Sequence, residues 1–92
     1  MRIVRLTSQF KKSLKKFSKS GIFDKPRLKL AIDSLASGKK LDTSFSDHAL
    51  GGKFLGCREC HIKSDILLVY RIESNNLVLV LVNLGSHSDL FE

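Results

Sequence analysis

The spacing of apolar residues changes midway along the chain, and that change restricts the fold more than any other feature. Phe10, Leu14 and Phe17 recur at i, i+4 and i+7, and Leu28, Ala31, Ile32 and Leu35 repeat the helical period. Each set forms one apolar stripe on an otherwise polar helix. Beyond Lys53 the helical period is lost. Stretches of about Phe54–Ile62, Asp65–Ile72 and Leu77–Leu84 instead read as strands, joined by Lys63-Ser64 and Ser74-Asn75-Asn76, both short enough for antiparallel hairpins. Two one-sided helices have no core of their own, and a three-stranded meander needs a cover. Packing one on the other gives an α+β fold in two layers.

Local signals set the element ends. Ile3–Leu6 reads as an opening strand, and Thr7 or Ser8 offers an N-cap oxygen to the first helix, which Gly21 is expected to close. Asp24 caps the second helix, Pro26 is acceptable in its first turn, and Gly38 ends it. Lys39 to Lys53 is polar and without period, and reads as a loop. Leu77–Val82 is apolar on both faces, which suits a central strand with helices over one side. Ser86–Phe91 reads as one helical turn. A chain of 92 residues has room for one small core, so a single domain over residues 1–92 is expected.

Sixteen lysines and arginines against nine acids give a net charge of +7. A surplus of that size on so short a chain favours a polyanionic partner: nucleic acid, an anionic membrane face or an acidic protein. Lys11, Lys12, Lys15, Lys16 and Lys19 share the side of the first helix opposite its apolar stripe. Such a stripe is ordinarily a solvated face; as a binding surface it would track a phosphate backbone or meet an acidic protein. The apolar run Leu77–Val82 is far below the ~20 residues that span a bilayer, and Met1–Leu6 is too short for the apolar part of an export signal. A cytoplasmic protein without membrane contact is therefore expected, with Cys57 and Cys60 as reduced thiols.

Three histidines are candidates for chemistry: His48 in the loop, His61 near a strand end and His87 after the last strand, with Asp65 four residues past His61 across a tight turn. Metal-free RNA cleavage needs a base for the 2′-OH, an acid for the departing 5′ oxygen and a cation for the crowded phosphate. Histidine serves as acid or base near neutral pH, and arginine or lysine supplies the cation. One isolated loop histidine is ordinarily a solvated polar residue; three beside Asp65, in segments able to converge, point further. Phe91 is either a plug on the core or an aromatic platform for a base.

Cys57-Arg58-Glu59-Cys60-His61 matches the C-x-x-C-H signature of covalent haem attachment. Strand alternation sends Cys57 and Cys60 to opposite faces, which argues against haem and equally against a tetrahedral zinc site. No metal and no cofactor is expected.

Four blocks in order carry a resemblance to a known family: Asp47-His48-Ala49-Leu50; Gly56-Cys57-Arg58-Glu59-Cys60-His61-Ile62; Asp65-Ile66-Leu67-Leu68-Val69-Tyr70; and Gly85-Ser86-His87-Ser88-Asp89-Leu90-Phe91. Over about residues 45–91 the chain resembles the YafQ branch of the RelE/ParE toxin superfamily. The first half agrees only in its strand–helix–helix plan.

The resemblance implies a RelE-like fold, with an N-terminal strand and a helical hairpin packed on a small, mainly antiparallel sheet. It implies a type II toxin that cuts messenger RNA on the ribosome and is neutralised by a co-expressed antitoxin resembling DinJ, acidic in its toxin-binding part. The implied site is His48, His61, Asp65, His87 and Phe91, with His87 as proton donor. Two positions depart from the family: Ile66 stands where an aromatic is frequent, and Asn83 where some members carry arginine. Arg58 or Lys53 is the candidate replacement cation, and Lys11, Lys12 and Lys15 are candidate RNA contacts. The alternatives are a ParE-like gyrase poison, a ribosome-independent ribonuclease and a non-catalytic module that binds RNA or an acidic protein.

Overall fold

The computed structural model describes residues 1–19, 24–63 and 65–91. Strand β1 (Ile3–Leu6) leads into helix α1 (Ser8–Ser18) and helix α2 (Lys25–Ala36). A two-residue strand β2 (His48–Ala49), strands β3 (Arg58–Lys63), β4 (Ile66–Glu73) and β5 (Val78–Gly85), and a short helix α3 (His87–Phe91) follow. The five strands form one sheet in the order β1-β5-β4-β3-β2, antiparallel throughout except for the parallel β1–β5 pair.

The expected caps are in place. Thr7 Oγ1 accepts from Phe10 N–H at 3.0 Å and donates to the Val82 carbonyl at 2.6 Å, so one hydroxyl starts α1 and ties it to β5. Asp24 accepts from Arg27 N–H. Past α2, Gly38 adopts φ +78° while Gly38 N–H and Lys39 N–H return to the carbonyls of Leu35 and Ser34, a Schellman ending. Gly21 lies outside the described residues, as does Ser64 of the Lys63-Ser64 turn. Ser74, Asn75 and Asn76 form the β4–β5 turn, all three at positive φ.

Two expectations need correction. The strand read as Phe54–Ile62 begins only at Arg58, because Gly52–Phe54 is a 3₁₀ turn and Gly56 stands at φ +92°, a backbone that no strand adopts. The stretch read as a loop holds a second 3₁₀ turn, Thr43–Phe45, as well as β2.

One face of the sheet carries the main core. Phe10 and Phe17 of α1 and Leu28, Ala31 and Leu35 of α2 pack there on Cys60, Ile62, Leu68, Tyr70, Leu79, Leu81 and Leu84. Leu81 and Leu84 share this face despite odd spacing because a bulge inserts Val82 into β5: Tyr70 pairs with Leu81 and Val69 with Asn83. The opposite face holds a smaller cluster of Cys57, Leu67, Val69 and Leu90, flanked by Leu50, Phe54, Val82 and Phe91. The two cysteines are free and buried on opposite faces, Cys60 in the main core and Cys57, just ahead of β3, in the smaller cluster.

Candidate active site

The histidines converge on the face with the smaller cluster. Ile62 sits in the main core, so its neighbour His61 faces the other way, and so does Glu59 two residues earlier. β2 pairs with β3 in the register His48↔Glu59, which brings His48 onto this face as well. A register shift between His61 and Lys63 interrupts the β3–β4 ladder just where the chain turns toward Asp65. His61, Asp65, Leu67 and His87 then line one small cleft of about 110 Å³.

His87 reaches the cleft from α3. Leu90 is anchored in the smaller cluster, while His87 and Phe91, one turn apart, pair their rings at 4.8 Å between centroids. Phe54 meets Phe91 edge-on at 5.3 Å, and the Lys53 ammonium lies 5.3 Å from the Phe54 ring centre. The sequence thus places an imidazole, an aromatic face and a cation side by side at the C-terminal end of β5.

His48 is held at both nitrogens. Nδ1 lies 2.9 Å from the Ser46 carbonyl and Nε2 2.9 Å from Glu59 Oε1, and the two rings of His48 and His61 are 6.3 Å apart. A carbonyl only accepts, so Nδ1 must carry a hydrogen. Nε2 faces the Glu59 carboxyl group at hydrogen-bond distance. Glu59 is buried, and its Oε2 has no hydrogen-bond partner among the described residues. Sequence reading missed Glu59. The available signal was its position two residues before His61 on an alternating strand, which puts both on one face.

Several candidates are not brought to the cleft. Arg58 points to the helix-covered face, where its guanidinium grips Asp47 at 3.0 Å while Tyr70 donates to the same carboxylate at 2.5 Å. It borders a separate cavity of about 490 Å³ with Tyr70, Leu35 and Ile72. Lys11, Lys12 and Lys15 are exposed along α1; Lys12 and Lys16 line a groove of about 260 Å³ with Ser13, Asn83 and Asp89. Asn83 accepts from Ser13 Oγ at 2.8 Å and from Leu84 N–H, and is therefore tied to α1. Ile66 is buried in the main core. Of the two proposed replacement cations, Lys53 alone lies beside the His87–Phe91 cluster. Burial pushes the Cys60 thiol up to about 12, which keeps it from acting as a thiolate. Among the described residues no three His, Cys, Asp or Glu side chains are grouped to hold a metal ion.

Residues 2–92 match the family model described as the bacterial toxin of type II toxin–antitoxin system, YafQ. A copper-bound variant toxin from Helicobacter pylori is 42% identical with a TM-score of 0.90, over 99% of this chain and all of that one. YafQ from Escherichia coli is 26% identical with a TM-score of 0.90 over the whole of both chains, and the DinJ–YafQ complex of that species matches with a TM-score of 0.86. A Haemophilus influenzae relative bearing the YafQ toxin name is 42% identical over 41 residues, which span 45% of this chain and 40% of that relative.

Proposed function

The chain belongs to the YafQ family of type II toxin–antitoxin toxins, and from that premise we propose that it is a messenger RNA endoribonuclease acting on the ribosome. The observation that carries the proposal is the cleft in which His61, Asp65 and His87 meet with Phe91 at its side. In the proposed reaction the 2′ oxygen attacks the adjacent phosphorus and the bond from phosphorus to the 5′ oxygen breaks. His87 gives its proton to the leaving 5′ oxygen. Asp65, or His61 oriented by it, takes the 2′-OH proton. The products are a 2′,3′-cyclic phosphate on the upstream fragment and a 5′-OH on the downstream one. His48, its nitrogens engaged by Glu59 and the Ser46 carbonyl, holds the substrate through the face of its ring; Phe91 stacks on the base beside the cut, and Lys53 supplies positive charge.

The complex of a relative with DinJ supports a DinJ-like antitoxin as partner, and the charge of +7 supports an acidic toxin-binding segment in it. Action on messenger and ribosomes places the protein in the cytoplasm; among the described residues no helix is long and apolar enough to cross a membrane. The proposed chemistry uses no metal. Because a Helicobacter relative is copper-bound, the expected result with copper is inhibition through the imidazoles, reversed by a chelator, while a chelator alone leaves cleavage unchanged. A requirement for added metal would contradict the mechanism.

The test of function is expression without antitoxin, followed by mapping of messenger 5′ ends. Cuts in frame with codons, with normal DNA supercoiling, are expected. Gyrase-linked DNA breaks with intact messenger would support the ParE-like alternative, and efficient cutting of naked RNA a ribosome-independent nuclease.

A further inference from the structure

His87 owes its place to the turn that carries it. Ser86 N–H donates to Asp89 Oδ2 at 3.1 Å, and Asp89 N–H donates in return to Ser86 Oγ at 3.1 Å. This reciprocal pair is a capping box: a serine at the N-cap and an acid three residues on satisfy one another's free amides. His87 is the first residue inside the box, and Leu90 N–H closes the turn on the Ser86 carbonyl. Gly85 belongs to the same device. A Cβ on it would lie 3.1 Å from Asp89 Cβ, so a side chain at residue 85 would crowd the acid and press it away by a few tenths of an ångström. Neither Ser86 nor Asp89 lines the cleft, whereas His87 does. A helix of five residues has too few internal hydrogen bonds to hold itself, so it depends on this box and on the Leu90 anchor.

We propose that Ser86 and Asp89 are positioning residues for His87: their reciprocal hydrogen bonds, over the space left by Gly85, build the turn that presents the imidazole to the leaving group beside Phe91. The proposal rests on the acid role given to His87 above. It assigns no contact with RNA to either residue, and it accounts for every position from Gly85 to Phe91 except Ser88.

The test uses the full chain on ribosome-bound messenger under single-turnover conditions, with a normal substrate and one carrying a 5′-bridging sulfur at the cut. The sulfur leaves as a thiolate and needs no proton. Ser86→Ala and Asp89→Ala should each slow the normal substrate by about tenfold at saturation, with little change in KM. Ser86→Thr and Asp89→Glu, which keep the box, should recover most of the rate. On the sulfur substrate the deficits should shrink, as that of His87→Ala should, and Asp89→Ala added to His87→Ala should cost little more. Gly85→Ala reaches the same turn through the backbone and should behave like Asp89→Ala; thermal melts must place every variant's unfolding above the assay temperature. Deficits equal on both substrates, or fully additive with His87→Ala, would overturn the proposal and leave the box a purely structural cap. If sulfur rescues His87→Ala but none of the box variants, the proposal alone falls; if it does not rescue His87→Ala either, the acid assignment falls with it.

Discussion

His48 and His87 are the same residue held in different ways. Both nitrogens of His48 are engaged, by the Ser46 carbonyl and Glu59. His87 is held by ring contact with Phe91, and no described group hydrogen-bonds its nitrogens, so they can exchange a proton with a substrate. Glu59→Ala should therefore act through His48: cleavage falls about ten- to a hundredfold as the ring loses its fixed direction. Thermal stability should change little, because the partnerless buried oxygen goes with the side chain. A normal rate in single-turnover assays would show that His48 needs no orienting partner. Cys60 gives the opposite expectation. Cys60→Ser buries a hydroxyl in the main core and should cost about 1–3 kcal/mol in denaturant melts, while cleavage below the melting temperature is unchanged.

At the scale of elements, α3 is the part on which the site depends. Leu90 is 4% exposed and is its anchor in the smaller cluster. Leu90→Ala should cost about 2–5 kcal/mol and lower cleavage further than unfolding explains, since His87 and Phe91 ride on the same turn. The capping box also sets a pH limit. The Ser86 amide and hydroxyl hold the Asp89 carboxyl below its usual 3.8. A depressed carboxyl stabilises the fold above its unfolded pKa, and the contribution is lost as pH falls through the lower folded value. The box should therefore stay intact across about pH 5–8; circular dichroism showing loss of α3 at pH 6 would contradict this. Thr7, Asp24 and Gly38 were legible in the sequence because capping is chemistry between near neighbours. β2 was not, because two exposed residues have no period and form a strand only by pairing with β3. The late start of β3 and the bulge at Val82 escaped for a related reason: register depends on a partner strand, which a one-dimensional pattern does not contain. Ser86-x-x-Asp89 is likewise legible as a capping box from the sequence alone.

At the scale of the molecule, the sheet divides the work: one face carries the helices and the main core, the other the cleft. His61, Asp65, His87 and Phe91 could be listed from family likeness alone, but the exclusion of Arg58 follows only from strand parity and its bond to Asp47. The positive charge should govern encounter with the antitoxin, so the association rate should fall as salt rises, screening being strong beyond ~10 Å at 0.1 M; an on-rate indifferent to salt would argue against charge-led recognition. Replacing Lys11, Lys12 and Lys15 together with glutamine should weaken RNA binding about equally for all sequences and lower the salt slope by about 2. On the reading proposed above, this toxin cuts RNA with His87 as the acid. The most direct measurement of this is single-turnover cleavage of messenger on programmed ribosomes by the wild-type protein and by His87→Ala, with the new ends identified. A 2′,3′-cyclic phosphate is expected from the wild type, and a rate about 10²–10⁴-fold lower for the variant, with ribosome binding retained. Equal rates for the two proteins, or no cleavage by a wild-type protein that still arrests growth, would contradict that reading.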